Sequence, residues 1–442
     1  MRQESFQDQL ARLFPEENNE PIRMNGKFTK SITFQVTENC NLRCTYCYQH
    51  EKRGNRMTFD VAKRFIDMVL AADDRTNQYI TSTISQGVVL DFIGGEPFLE
   101  VELIDQICDY FLEQAMLLHH PWATRFRISI STNGILYFEP KVQAFIEKWH
   151  EYLSLGVSID GNKELHDACR LDVNGDGTYD RAIAAVNHYR EHYGEMVGSK
   201  MTIAPGNVNY LFSAVKSMID NGYTQIFLNC VYEEGWTVEH ARTLYEQCKQ
   251  LSDYLIENDL VDKIYLSLLD HNMAGGPLSE EDDRNWCGGT GLMTAIDWKG
   301  DIFPCVRYMD NAICGKQPSY TIGNIEHGIM QTDEEVQRIK CFECITRRSQ
   351  STDECWNCPI AKGCSWCSGY NYEVFGTPNK RATFICIMHK ARVLSIAYLW
   401  NNWYRRKNSP ERYSLTIPQD WAEEIIGHEE YEKLKSLSEQ RS

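Results

Sequence analysis

Along the first half of the chain, short apolar or alternating runs take turns with longer stretches of helical period. The short runs are SITFQVT (31–37), VVLDFIGG (88–95), FRISIST (126–132), LGVSID (155–160), MTIA (201–204) and QIFLNC (225–230). Asp60–Ala71, Leu103–Leu118 and Tyr179–His192 separate them and read as amphipathic helices. Strand, helix, strand at this rhythm predicts βαβ units and a parallel sheet, since parallel neighbours need a crossover between them. Six such strands suit a partial barrel or a doubly wound sheet, and pattern alone does not separate the two.

After about residue 235 the rhythm stops. Val238–Asn258 predicts a helix, residues 285–390 are rich in Cys, Gly and Trp with many turns, residues 387–407 read as helix, and the tail after 410 is polar. That middle texture predicts a small unit organised by metal instead of a large apolar core. The expected organisation is an N-terminal extension (1–30), an α/β unit (31–235), a helical bridge (236–284), a Cys-rich unit (285–390), and a C-terminal helix with a polar tail (391–442).

Composition narrows the function. A net charge of -17 excludes a general nucleic-acid binder, which needs a basic footprint. The start, MRQESFQDQL, lacks the apolar core of a secretory signal, and Phe384–Trp400 is interrupted by His389, Lys390 and Arg392, so neither export nor a membrane span is expected. A cytoplasmic location follows, where disulfides are rare, and seventeen cysteines then point to metal binding.

Cys40, Cys44 and Cys47 form one tight group, C-x3-C-x2-C, directly after the first predicted strand. Active sites of parallel α/β barrels lie at the C-terminal ends of strands. Three thiolates on one loop can hold three irons of a [4Fe–4S] cluster and leave the fourth iron open, whereas electron-carrying clusters normally take four cysteines. The alternative is a zinc site, whose fourth ligand would come from elsewhere, such as His50. Cys108, Cys169, Cys230 and Cys248 are scattered singly and read as core residues.

The segment FQVTENCNLRCTYCYQH, with Tyr46 before the third Cys, resembles the hallmark of radical S-adenosylmethionine (SAM) enzymes. Gly94-Gly95-Glu96-Pro97, ending the second strand, is similar to that family's GGEP motif, which binds the SAM amino group. Ser131-Thr132-Asn133-Gly134 and Ser158-Ile159-Asp160-Gly161 resemble its later strand ends, although Asn-Gly and Asp-Gly also favour ordinary turns. The resemblance implies a partial (β/α)6 barrel with a SAM site that includes Tyr46, Gly94, Gly95, Glu96, Pro97, Ser131, Asn133 and Ser158, with Arg170 as a further carboxylate partner.

Downstream, Cys287, Gly300-x4-Cys305, Cys355-x2-Cys358-x5-Cys364-x2-Cys367 and Cys386 look like the SPASM extension, which binds two auxiliary [4Fe–4S] clusters. The resemblance implies an outer cluster on Cys355, Cys358, Cys364 and Cys386, and an inner one on Cys287, Cys305 and Cys367. A pair of zinc ribbons is the alternative. The chain departs from the usual pattern in having x2 before the sixth cysteine, where x3 is common, and no cysteine between Cys287 and Cys305. The inner cluster then has an open iron, or Cys314, Cys341 or Cys344 completes the set.

Sulfatase-maturing relatives carry an acid directly after the second cysteine of this pattern, where this chain has Val306-Arg307. FQVTENCNLRCTYCYQ, LNCVYEEGWTVEHA, NWCGGTG, CWNCPIAKGCSWC and KRATFICIMHKAR resemble more closely the maturases of CXXX-repeat peptides, over roughly residues 28–405. That resemblance implies an oxidoreductase that installs thioether links in a ribosomally made precursor peptide. Its cofactors would be SAM and three [4Fe–4S] clusters, and its electron donor a flavodoxin or ferredoxin. About thirty residues precede the first strand, too few for a leader-binding module, so leader recognition is expected on a separate leader-binding protein or on another surface. The competing expectations are another radical peptide modification (formylglycine, a carbon–carbon crosslink or an epimer) and a non-enzymatic zinc or Fe–S scaffold.

Overall fold

The computed structural model describes residues 29–49, 51–71, 79–80, 85–272, 274–284, 287, 289, 291 and 293–439. His50 and nearly all of the expected N-terminal extension lie outside the described residues. Strands β1 (Thr29–Thr37), β2 (Gly87–Gly94), β3 (Phe126–Thr132), β4 (Leu153–Val157), β5 (Gly198–Ile203) and β6 (Gln225–Cys230) pair in parallel in chain order. Between them run α1 (Phe59–Leu70), α2 (Val101–Leu117), α3 (Pro140–Trp149), α4 (Lys163–Cys169), α5 (Tyr179–Tyr193) and α6 (Leu211–Asp220). Sequential order is the winding of a barrel wall, whereas a doubly wound sheet reverses direction part-way across. The fold is therefore α/β with a partial barrel.

β7 (Tyr265–Leu266) extends the sheet beyond β6, and β8 (Met293–Ile296) joins β1 in parallel at the other side. Antiparallel β9 (Asp301–Phe303), β10 (Gly323–Asn324) and β11 (Gly328–Ile329) follow, so the sheet runs unbroken from the barrel into the Cys-rich segment.

Alternation sorts the strand residues. Ile32, Phe34 and Val36 of β1 are buried with Leu90, Phe92, Ile128 and Ile130. Phe34 stacks on Phe92 at 5.4 Å and meets Phe65 of α1 edge-on at 5.7 Å. Thr58 caps α1, and the helix buries Ala62, Phe65, Ile66 and Val69 on the side that carries Phe65. The intervening strand positions are polar: Thr33 Oγ1 donates to Asp91 Oδ2 at 3.0 Å. Burial raises the Asp91 carboxyl above its ordinary range, with hydrogen bonds from Ser129 and Thr33 opposing it.

The Cys-rich segment contains α8 (Asp333–Glu343), α9 (Ser368–Phe375) and two single helical turns, Arg347–Gln350 and Asp353–Trp356. α10 (Cys386–Arg406) packs along α7 (Val238–Glu257). The tail that reads as polar forms α11 (Gln419–Ile426) and α12 (His428–Ser438), which bury Ala422, Ile425, Tyr431 and Leu434. Apolar residues three apart among many charges make a narrow face that composition hides. Tyr245 of α7 donates to Glu430 Oε1 at 3.0 Å, and Arg242 Nε to Ile425 O at the same distance. Among the described residues no helix is long and apolar enough to cross a membrane.

Candidate active site at the strand ends

The loop after β1 carries Cys40, Cys44 and Cys47 and is tied down on two sides. Toward β2, Gly95 N donates to Thr37 O at 3.0 Å and Glu96 N to Asn39 O at 2.9 Å. Toward the segment after α4, Arg43 N donates to Leu171 O at 2.7 Å and Thr45 N to Cys169 O at 2.9 Å. A Cβ on Gly95 would lie 2.2 Å from Asn39 O, and one on Gly94 would lie 2.7 Å from Thr37 O. The two glycines thus let β2 approach the cysteine loop, a packing requirement that the motif alone does not reveal.

Cys40 is buried, and Cys44 and Cys47 are half-buried. Lys52 Nζ lies 3.1 Å from Cys47 Sγ, and Arg170 Nη1 lies 4.0 Å from Cys44 Sγ. Burial pushes the Cys44 thiol up to about 11 against the pull of Arg170, with Cys47 and Cys40 adding to the rise. Three mutually interacting thiols with two cations beside them are a donor set suited to an iron–sulfur cluster.

Glu96 is buried and organises three strand ends. Its Oε1 accepts from Thr132 Oγ1 at 2.6 Å and Phe98 N at 3.1 Å, and its Oε2 accepts from Asn133 N at 2.8 Å. Burial nevertheless raises its carboxyl to about 7. Asn133 Nδ2 donates to Asn41 Oδ1 at 2.7 Å, which joins β3 to the cysteine loop. Pro97, itself buried, opens the turn after Glu96, Ser131 is exposed at the end of β3, and Ser158 is half-buried just past β4, its N–H bonded to Thr132 O at 2.9 Å.

Arg170 and Tyr46 meet at a residue absent from the expected site. Asp160, fully buried, accepts from Arg170 Nε at 2.8 Å and from the Tyr46 hydroxyl in a short hydrogen bond. The Arg170 guanidinium also lies 5.4 Å from the Tyr46 ring centre. β4 ends at Val157, so Asp160 belongs to the loop beyond it. Its Asp-Gly pair reads as turn chemistry, and only the distant Arg and Tyr reveal its second role.

Cys287, Cys305 and Cys367 come together where β8, β9 and α9 begin or end. The buried Cys305 thiol is raised first by burial and then by Cys367 and Cys287. Burial also raises Cys367, with Arg307 opposing and Cys287 adding. Arg307 bridges this set to the first one: its guanidinium sits 5.3 Å from the Tyr48 ring, next to Cys47 in the chain. Its Nη2 lies 3.3 Å from both Glu233 and Glu373. Cys341 lies by Tyr320 and Cys344 at the end of α8, and Cys314 occupies the left-handed residue ending a short helical turn.

Cys355, Cys358, Cys364 and Cys386 line one cavity of about 400 Å³, together with Arg347, Arg381 and His389. Burial pushes the Cys386 thiol up to about 12, and Cys364, Cys355 and Cys358 add to the rise. Arg347 Nε and Arg381 Nη1 are buried without hydrogen-bond partners, so a cavity lined by thiols also offers orphaned cationic donors. That is the environment an anionic thiolate-held cluster fits. Among the described residues no three His, Cys, Asp or Glu side chains close on a single metal ion.

The Radical SAM superfamily model matches residues 34–209. The cysteine-type anaerobic sulfatase-maturating enzyme of Clostridium perfringens (strain 13 / Type A) is 24% identical over 360 residues, 74% of this chain and 85% of that protein. The antilisterial bacteriocin subtilosin biosynthesis protein AlbA of Bacillus subtilis is 22% identical over 305 residues, 67% of this chain and 57% of its own length. An uncharacterized protein of Methanocaldococcus jannaschii is 29% identical over 197 residues, 45% of this chain, and the match spans 61% of that protein. The solved structure of native anSMEcpe with bound AdoMet and Cp18Cys peptide shares the fold, with TM-score 0.57 and 18% identity over 86% of this chain and 99% of that one. With that fold and this arrangement of thiols at its strand ends, residues 34–209 match the Radical SAM superfamily, and the chain is similar to sulfatase-maturating enzymes and to a bacteriocin-biosynthesis protein.

Proposed function

We propose that the chain matures a ribosomally made Cys-rich peptide by forming thioether links from Cys sulfur to carbon of an acceptor residue. SAM and a [4Fe–4S] cluster held by Cys40, Cys44 and Cys47 supply, when bound, a 5′-deoxyadenosyl radical for hydrogen abstraction. The two downstream thiol sets would hold auxiliary [4Fe–4S] clusters. Glu96, with its carboxyl raised to about 7 by burial, is suited to an ammonium group, whose charge would favour the carboxylate. Arg170, oriented by Asp160, offers its remaining N–H groups to a carboxylate. Gly94, Gly95 and Pro97 shape the turn, and Tyr46, Ser131, Asn133 and Ser158 complete the SAM pocket.

One observation carries the thioether reading. The residues after Cys305 supply no carboxylate: Arg307 stands there instead, joined to Tyr48 on one side and to Glu233 and Glu373 on the other. A cation between the two cysteine regions suits a thiolate-bearing substrate. Holding sulfur and carbon in a near-attack arrangement can contribute ~7–11 kcal/mol toward a barrier. A flavodoxin or ferredoxin would deliver electrons, and a separate protein would present the peptide leader.

The sulfatase-maturating relative favours a second reading, oxidation of a Cys to formylglycine. One experiment separates the two. The enzyme is incubated anaerobically with SAM, a reductant and the Cys-rich peptide encoded beside it, and the product is then reduced, alkylated and fragmented. Each thioether lowers the peptide mass by one pair of hydrogens, removes one alkylatable thiol and survives reduction. Full recovery of thiols rejects thioether formation, and loss of sulfur with a new aldehyde establishes the second reading.

A further inference from the structure

The three thiol sets differ in how their neighbouring cations are balanced. Beside the first set, the buried cation Arg170 is paired with Asp160 at 2.8 Å, and the half-buried Lys52 reaches Cys47 Sγ at 3.1 Å and Gln49 Oε1 at 3.5 Å. Beside Cys305 and Cys367, Arg307 faces Glu233 and Glu373. The outer set is different. Arg347 and Arg381 are 7% and 8% exposed, and no carboxylate among the described residues forms an ion pair with either.

Their hydrogen bonds converge on one ligand residue. Arg347 Nη1 donates to Cys364 O at 2.9 Å and its Nη2 to Ala361 O at 2.7 Å. Arg381 Nη2 donates to Cys364 O at 2.7 Å and to Cys364 Sγ at 2.8 Å. Arg347 Nε and Arg381 Nη1 remain buried and unpartnered. The other charged groups do not resolve this. Asp282, the carboxylate whose field reaches Arg347, lies 3.8 Å from Lys362. Glu354 is exposed, Lys390 adds a further cation at the rim, and His389 gives its Nε2 proton to Ile360 O at 2.7 Å.

Two buried guanidiniums side by side are strongly unfavourable unless an anion faces them. A [4Fe–4S] core held by four thiolates is such an anion, and reduction adds one electron and one more negative charge without making or breaking a bond. Net charge and hydrogen bonds to the sulfurs set the potential of such clusters. We infer that Arg347 and Arg381 are the counter-charge of the outer cluster and make it the more readily reduced of the two auxiliary clusters, and so the final electron acceptor of that pair. This rests on the proposed assignment of Cys355, Cys358, Cys364 and Cys386 to one cluster.

The test uses the C40A/C44A/C47A protein, loaded anaerobically so that only auxiliary clusters are present. Dithionite titration with redox mediators is followed by electron paramagnetic resonance. Two reduction waves are expected, and C355A/C358A should remove the one at higher potential together with its iron. R347Q and R381Q should each move that wave to lower potential and leave the other in place, while R381K, which keeps the charge, should move it less. Should R381Q lose the cluster, R347Q still decides, because Arg347 bonds only backbone carbonyls there. If C355A/C358A removes no iron, the ligand assignment fails. If it removes iron while both waves stay fixed in R347Q and R381Q, or if it removes the lower wave, the assignment stands and the inference about the arginines is overturned.

Discussion

Cys40, Cys44 and Cys47 stand within eight consecutive residues at the end of a buried strand, whereas Cys355, Cys358, Cys364 and Cys386 are spread over one single helical turn, the loop after it and the first residue of a long helix. At the first site the sheet does the positioning, and the loop inherits its place from β1, β2 and the segment after α4. At the second, only short turns and α10 converge, and the buried arginines there lack carboxylate partners among the described residues. The contrast teaches that a thiol set can be built as a consequence of a hydrophobic scaffold, or can be one of the things holding its own surroundings together.

The strongest way to break this contrast is to remove the first set. C40A/C44A/C47A should abolish 5′-deoxyadenosine formation while the auxiliary iron remains bound, as measured by product chromatography and iron counting. Parent-rate cleavage of SAM in that variant would refute the assignment. The next effect is thermodynamic. D160A strips Arg170 and Tyr46 of their buried partner, and leaving a buried charge uncompensated costs about 3–5 kcal/mol. Chemical denaturation of the cofactor-free protein should show that loss, and a change within error would mean that the barrel tolerates unmatched charge as the outer region does.

The smallest effect sharpens the comparison through pH. Burial raises the Glu96 carboxyl from 4.5 to about 7, so the folded state holds this proton more tightly than the unfolded chain. The stabilising contribution is complete below the unfolded value and is lost as pH rises through about 7. Glutamine does not titrate. E96Q should therefore gain about 2 kcal/mol on the parent between about pH 5.5 and about pH 8, measured without cofactor. An unchanged difference across that range would show that Glu96 is relaxed in solution.

These tests also mark what the sequence made legible. The six strands and α10 follow from local pattern, because each needs only its own alternation or helical period. Strand order does not, since neighbours in a sheet are chosen by packing between segments far apart. Cys40, Cys44 and Cys47 declare themselves by spacing. Asp160 does not, because its partners Tyr46 and Arg170 lie on different loops and its Asp-Gly context imitates a turn. Gly95 was legible as necessary but for an incomplete reason: the clash its Cβ would make is with Asn39 O of the chain itself. The helices α11 and α12 escaped because two narrow apolar faces were averaged away by the charges around them.

The backbone ties of the first cysteine loop have a consequence for assembly. Four main-chain hydrogen bonds, with Gly95, Glu96, Leu171 and Cys169 as the outside partners, tie the loop and the end of β1 to their neighbours. The loop's conformational entropy is lost when the barrel folds, not when iron arrives. A cluster held by Cys40, Cys44 and Cys47 would therefore load onto a loop that is already placed, and its affinity there would not be reduced by the ordering of a loose loop.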